Sequence, residues 1–363
     1  MAIIRRYTYR GEEGERIPRR ATHITVGDGV TFVRAHAFQG HENIREVICH
    51  EGVEKIEEYA FFCCPSLRRV IMPGVKVVEM CAFCQRKEFS ALRDVECGKL
   101  EIIGEYAFQF CRRLKSISLP SARIVKEGAF SYCKALADVE CGKLERIGEW
   151  AFVDCYELSS IDLPSVRIVE EGAFNNCFDG LTNVKFSSKL ERVASLAFYG
   201  CTSMKRITIP LKDGLLSTDD IFFACKELEQ VDLIEGELHE TIAALHLEDW
   251  RDDMKQEIDS INQILPDACA GYYDEEEEEW IEGEKTPAIQ TWISSVLDKI
   301  RHYQTEHQQV LDEAATTLQL DLPRDIVLNN VLPFLELPSY TFVMEERQGE
   351  DGSDSAGEEE DDE

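Results

Sequence analysis

Residues 116–136 read SISLPSARIVKEGAFSYCKAL. Three markers in and around this stretch decide the fold: a short strand-like run opening at Leu114, the pair Ala129-Phe130, and Cys133 three residues beyond it. The Phe of the pair recurs at Phe38, Phe61, Phe83, Phe108, Phe130, Phe152, Phe174 and Phe198, and Phe222 continues the series behind Ile221. The spacing is 22–25 residues, the range of a leucine-rich repeat. A Cys follows three residues after the Phe at Cys64, Cys111, Cys133, Cys155, Cys177, Cys201 and Cys225; His41 and Arg86 interrupt the series.

Each unit also carries a short run of strand character. The runs are IREVIC (44–49), LRRVIM (67–72), LRDVEC (92–97), LKSISL (114–119), LADVEC (136–141), LSSIDL (158–163), LTNVKF (181–186), MKRITI (204–209) and LEQVDL (228–233), with ATHITV (21–26) as an irregular first member. Positions 1, 4 and 6 are apolar, and positions 2, 3 and 5 are mostly polar. Strand alternation turns positions 4 and 6 inward. One unit cannot bury its apolar side alone, so stacked units share a core of strand residues, Ala-Phe pairs and the Val or Ile four residues before each Ala. Those are Val33, Ile56, Val78, Ile103, Val125, Ile147, Val169 and Val193. A longer period lies on top: residues 93–136 and 137–177 are near copies, two 22-residue units duplicated together as 44.

The composite pattern LxxIxLPxxxxIxxxAFxxCxxL resembles the BspA-like leucine-rich repeat family over about residues 21–233. The resemblance implies an α/β leucine-rich repeat solenoid with short parallel strands. Bacterial members of that family are often cell-surface adhesion proteins. The segments TWISSVLDKIRHY (291–303) and LPRDIVLNNVLPFLELPSYTF (322–342) are similar to carboxyl ends of repeat proteins in single-celled algae.

Charge divides the chain. Of 39 Lys+Arg and 70 Asp+Glu, residues 1–233 hold 32 and 34, and residues 234–363 hold 7 and 36. The expected organisation is an N-terminal segment (1–20), the solenoid (21–233), a helical region with an acidic loop (234–344) and a disordered acidic tail (345–363). A net charge of −31 argues against whole-surface binding of nucleic acid or anionic membrane. No apolar run approaches the roughly 20 residues of a membrane span. The N-terminus has no apolar signal core, so the expected location is intracellular, cytoplasmic or nuclear.

In the helical region, Leu247, Trp250, Met254, Ile258, Ile261 and Leu265 keep helical spacing. Ile289, Ile293, Val296, Ile300, Tyr303, His307, Val310 and Ala314 alternate gaps of four and three, a heptad seam that Trp292, Leu297, Leu311 and Leu318 widen. The expectation is an antiparallel helical hairpin around DEEEEE (274–279), with a short third helix at 323–332. Two roles stand open: a cap on the last repeat, which leaves a monomer, or a dimerising coiled coil.

The chemistry-bearing candidates are few. Cys63, Cys64, Cys81 and Cys84 include a Cys-x-x-Cys and offer four thiolates; reduced packing thiols are the competing reading, and no metal site is expected. GEKT (283–286) resembles the tail of a phosphate loop without its first glycine. His302 and Glu306 share a helix face as charge patterning does. No catalytic motif, cofactor fingerprint or metal signature is present, so the chain is expected not to be an enzyme. The third unit carries three extra residues within CQRKEFSA (84–91).

Position 2 of the strands begins Arg45, Arg68, Arg93 and Lys115, with Arg69 beside them at position 3. On this fold they line the concave face about 5 Å apart. Like charges in a column repel, so the stripe is either a solvated face neutralised by Glu46 and Asp94 or a site for an acidic protein or for the chain's own acidic end. Two functions follow: a protein-interaction module acting through that face, or an acidic chaperone or decoy for basic proteins such as histones, acting through the C-terminal acids.

Overall fold

The computed structural model describes residues 5–86 and 90–234, positions 256, 260, 261 and 265, the strands Tyr272–Asp274 and Glu279–Ile281, and the helix α1, Lys285–Leu318. The repeats stack as a parallel β-solenoid. Position 4 of every strand run pairs in register with its counterpart where ladders are continuous, as Val47 does with Val70 and Val70 with Val95. The runs form a five-stranded sheet from Arg6–Tyr9 to Asp94–Glu96, a pair from Ser116–Ser118 to Asp138–Glu140, and a four-stranded sheet from Ser160–Leu163 to Gln230–Leu233.

The apolar residues four before each Ala do more than fill the core. Each sits in a two-residue strand, and eight of these, from Phe32–Val33 to Arg192–Val193, make a second continuous parallel sheet. The periodicity shows only a buried position there, because two residues are too few to display alternation. Val33, Ile56, Val78, Ile103, Val125, Ile147, Val169 and Val193 are all fully buried.

The α component expected of the solenoid is absent: among the described residues no helix lies between 5 and 234. The Ala-Phe segment is a run of turns, and its backbone explains why. Most turns place one residue in the left-handed region two before the Phe and another two after it, as at Tyr106 (φ 54°) and Phe110 (φ 61°), or Trp150 (φ 53°) and Asp154 (φ 57°). Such residues interrupt a right-handed helix. Each is held by the next turn: the Tyr106 N–H donates to Glu127 O and the Trp150 N–H to Glu171 O, at 2.8 and 2.9 Å. Over four consecutive turns, from Tyr106 to Gly172, glycine alternates with the aromatic at the first of these positions. Gly128 (φ +56°) lies under the Tyr106 ring and Gly172 (φ +58°) under Trp150, and a Cβ on either would meet that ring at 2.4 Å.

Two ladders run through the core. The nine phenylalanines stack face to face along the axis with centroids 4.7–5.6 Å apart and planes within 9° of parallel. Beside them, the ladder cysteines donate S–H to the Phe carbonyl of an earlier turn: Cys133 to Phe108 O at 3.2 Å, Cys155 to Phe130 O and Cys177 to Phe152 O at 3.3 Å. At the first interruption His41 takes over, its Nε2 3.0 Å from Pro18 O.

Burial pushes the Cys64 and Cys133 thiols up to about 12, and Cys111, Cys155 and Cys177 well above the ordinary value. In the unfolded chain a thiol ionises near ~8.5. Above that pH the folded chain holds more thiol protons than the unfolded one, so stability falls as pH rises. The contribution is whole below ~8.5 and is lost progressively toward ~12. Urea midpoints should therefore decline steadily on the alkaline side, and Cys133→Ala should flatten that slope. An alkaline profile without slope would contradict the buried-thiol ladder.

Both ends are closed. Arg6–Tyr9, from the segment expected to precede the solenoid, adds an edge strand in register Arg6↔His23 to Tyr9↔Val26. Buried Tyr9 covers the end of the ring stack, 5.1 Å from Phe38. At the other end α1 docks. In the turns the Phe N–H donates to a carbonyl of the following turn, as Phe198 does to Ile221 O at 3.0 Å. Phe222 has no such turn, and its N–H donates to Thr286 Oγ1 at 2.9 Å. Buried Lys285 gives Nζ hydrogen bonds to Lys226 O (3.2 Å) and Leu228 O. Gln290 Nε2 donates to Leu216 O and Thr218 O, both at 3.3 Å. Ile289, Trp292, Ile293, Val296, Ile300 and Tyr303 are buried in the same core.

Of the expected helical hairpin, the second arm is α1, the one continuous helix among the described residues. Its seam as far as Tyr303 is spent on its own chain. Most of the first arm (238–265) lies outside the described residues, though Ile261 and Leu265 are helical and buried in the core. The acidic loop holds an antiparallel pair, Tyr272↔Ile281 to Asp274↔Glu279. The third helix (323–332) and the acidic tail (345–363) lie outside the described residues.

Candidate partner-binding face

Position 2 lies at the entrance to each strand, where the backbone ladder fixes its spacing. The Arg45 N–H donates to Thr22 O, Arg68 N–H to Arg45 O and Arg93 N–H to Arg68 O, at 2.7–2.9 Å. The three arginines thus rise in one column at the strand spacing of roughly 4.8 Å. The sheet breaks before Ser116, so Lys115 stands across a gap, and the depression there is lined by Arg69, Arg93, Asp94, Glu96, Ser116 and Ser118. Arg68, Arg93 and Lys115 are exposed and Arg45 is half-buried.

Charge pairing separates these residues from their neighbours. Arg69 bonds Glu96 at 2.6 Å and lies 3.7 Å from Glu46; the Glu96 hydrogen bond raises its pKa. Lys205, also at position 2, is 3.6 Å from Glu227, and Arg206 bonds Asp232. The second sheet's outer face is neutralised turn by turn, through Lys76–Glu54, Lys55–Glu79, Arg123–Glu145, Arg146–Glu170 and Arg167–Glu191 at 2.6–2.9 Å. Among the described residues, no carboxylate lies within ion-pair distance of Arg45, Arg68, Arg93 or Lys115. The expected neutralisers, Glu46 and Asp94, leave them free; Glu46 faces Arg69 and His23 instead.

One feature of this face is additional to the charge stripe. Position 5, polar in most units, is Ile48 and Ile71 in the first two, and these are register partners. Ile48 is 37% exposed and the one large hydrophobic exposed among the described residues. The signal was present in the runs REVIC and RRVIM, but a β-branched residue in a strand reads first as core.

The match to a family model for the BspA type leucine rich repeat region extends over residues 19–137, 89–180 and 145–244, with six copies. The chain belongs to this family. A leucine-rich repeat protein from Bacteroides ovatus is 21% identical, covers 60% of this chain and is itself covered over 61% of its length, with a TM-score of 0.41. The T. pallidum leucine rich repeat protein is 25% identical over 50% of this chain and 77% of its own, with a TM-score of 0.36. An internalin from Listeria monocytogenes is 12% identical over 60% and 75%, with a TM-score of 0.28. No curated protein matches.

The other sequence candidates in this BspA type chain resolve differently. Lys285 and Thr286 of GEKT are buried against the last turn, committed to backbone groups instead of a phosphate. Their role was not legible, because a lysine beside a helix start is ordinarily solvated. Cys64 joins the ladder, donating to Phe38 O at 3.0 Å. Among the described residues no group of three His, Cys, Asp or Glu is arranged to hold a metal ion. His302 is exposed on α1, and the Glu306 side chain lies outside the described residues.

Proposed function

We propose that this BspA type solenoid is a non-enzymatic interaction module that binds an acidic segment of a partner protein along the strand face, through Arg45, Arg68, Arg93 and Lys115. The observation that carries the reading is the contrast in pairing. Cations on the second sheet and at position 3 have carboxylate partners, whereas this column has none among the described residues. Solenoids present such extended surfaces to partners, and Ile48 with Ile71 adds an apolar contact beside the cations. No helix among the described residues is long and apolar enough to cross a membrane. The thirteen described cysteines are free, which fits a reducing intracellular setting, and α1 uses its seam as a cap, which fits a monomer.

Arg68→Glu with Arg93→Glu should abolish binding to a fluorescent poly-glutamate peptide and leave the melting temperature unchanged. Wild-type binding should weaken as salt rises, because exposed charges are screened beyond roughly 8 Å at physiological ionic strength. Undiminished binding by the folded double variant would exclude the column.

The charge of residues 234–363, 7 bases against 36 acids, supports a second reading as an acidic chaperone or decoy for basic proteins such as histones. Salt-sensitive histone binding that survives the double variant and disappears when residues 345–363 are removed would favour it.

A further inference from the structure

Three of the thirteen free cysteines stand outside both structural sets. Seven form the ladder, and Cys49, Cys97 and Cys141 close strand runs and face the core. Cys63, Cys81 and Cys84 remain, and two adjacent turns bring them together. The Cys63 N–H donates to Cys84 O at 2.9 Å, and the Cys84 N–H to Cys81 O at 3.2 Å. The second bond closes a four-residue turn. Such a turn holds its end Cα atoms within about 7 Å, and a disulfide spans roughly 4.4–6.8 Å. The Cys84 Sγ lies 3.6 Å from Gln85 O and 3.6 Å from Gln109 Oε1, beside the turn that carries Cys81.

Nothing in the repeat requires thiols at these two places. The equivalent pairs in other turns are Tyr106 and Gln109, Gly128 and Ser131, Trp150 and Val153. The two sulfurs are also unequal. Cys81 is half-buried, whereas Cys84 is 4% exposed. The neighbouring Cys84 thiol holds the Cys81 thiol below its ordinary range, while the same neighbour and burial push Cys84 upward. An accessible thiol with a lowered pKa beside a buried one is the arrangement of an attacking and a resolving cysteine.

We propose that Cys81 and Cys84 form a reversible thiol–disulfide site, with Cys81 attacking a small-molecule disulfide and Cys84 resolving the adduct. The Cys81 thiolate attacks one sulfur of R–S–S–R; the S–S bond breaks, and RS⁻ leaves and takes a proton from water. Cys84 then gives its proton to solvent and attacks the Cys81 sulfur, forming the Cys81–Cys84 bond and expelling the second RS⁻. Two protein thiols are oxidised and one small disulfide is reduced to two thiols. The other described cysteines are unreactive by comparison, being enclosed in the core, apart from half-buried Cys63 beside Arg86.

The full chain, reduced and then treated with oxidised glutathione, tests this by non-reducing tryptic mapping. Peptide VVEMCAFCQR (77–86) contains both residues, and IEEYAFFCCPSLR (56–68) contains Cys63 and Cys64. The expected product is peptide 77–86 lighter by two hydrogens, restored by dithiothreitol, with the ladder cysteines unmodified. Cys84→Ser should accumulate glutathione on Cys81, and Cys81→Ser should leave Cys84 unmodified, with circular dichroism melts showing that both variants fold. A Cys63–Cys81 bridge, a persistent glutathione adduct in the wild type, or a fully reduced 77–86 while Cys63 reacts would each overturn the assignment.

Discussion

Replacing Phe152 with alanine lowers the stability of the solenoid by about 3–5 kcal/mol, the range for truncating a buried phenylalanine. The ring is completely buried and lies between Phe130 and Phe174, 5.3 Å from each and within 8° of parallel. Its loss opens a cavity that the neighbouring turns are poorly placed to fill. Their backbones are pinned by the Phe152 N–H bond to Ala173 O and by the Cys177 thiol on Phe152 O. For a domain of this size the melting temperature should drop by about 10 °C. Because repeats contact mainly their neighbours, the middle of the stack should also lose hydrogen-exchange protection before the ends do. An unchanged melt would mean the ring stack contributes nothing, which its burial forbids.

Ending the chain at residue 234 removes α1 and should convert a well-behaved protein into an associating one. Without it the Phe222 N–H and the carbonyls of Leu216, Thr218, Lys226 and Leu228 lose their partners on α1. The core also loses Ile289, Trp292, Ile293 and Val296, which are buried in the same cluster as Phe222 and Leu228. An uncovered parallel edge is a template for another chain. Light scattering of the truncated protein should report association with early melting. A soluble, monomeric 1–234 fragment melting at the temperature of the full chain would refute the capping role.

The repeat frame was readable because each unit buries the same atoms, which forces the same residue types into register. Phe, Cys, Ala and the alternating strand residues announced themselves at Phe108, Phe130, Phe152 and onward. Three things did not. The second sheet hid because Ile102–Ile103 and its equivalents are too short to show a period. The left-handed turns hid because most are occupied by Tyr106, Trp150, Leu196 and similar residues that ordinarily avoid that conformation, and glycine marks only some of them. The caps hid because they occur once: Tyr9, Lys285 and Thr286 answer the demands of an end, and an end has no second copy to compare. On the binding face, position 2 was visible as a charge column. Its distinction from Arg69 required knowing that position 3 reaches across to position 5 of the next strand, where Glu96 stands.

The alternation of ring and glycine beside the core bears on how such a chain can lengthen. Tyr106 lies across Gly128, and Trp150 lies across Gly172. A single 22-residue unit copied into this stretch would set a glycine beside a glycine or a ring beside a ring, as His36 stands beside Tyr59, and would lose the ring-on-glycine contact. Copied as a pair, each ring meets its glycine again, and the new segment inherits contacts that already work. Residues 93–136 and 137–177 are such a copy, and the Phe130, Phe152 and Phe174 rings cross it at an unbroken 5.3 Å. Because Tyr9 and Thr286 close the two termini of the stack, growth falls in the interior, and in steps of two turns where ring and glycine alternate. The heritable building block is thus the doublet, and related chains should differ in length by multiples of about 44 residues wherever this alternation is kept.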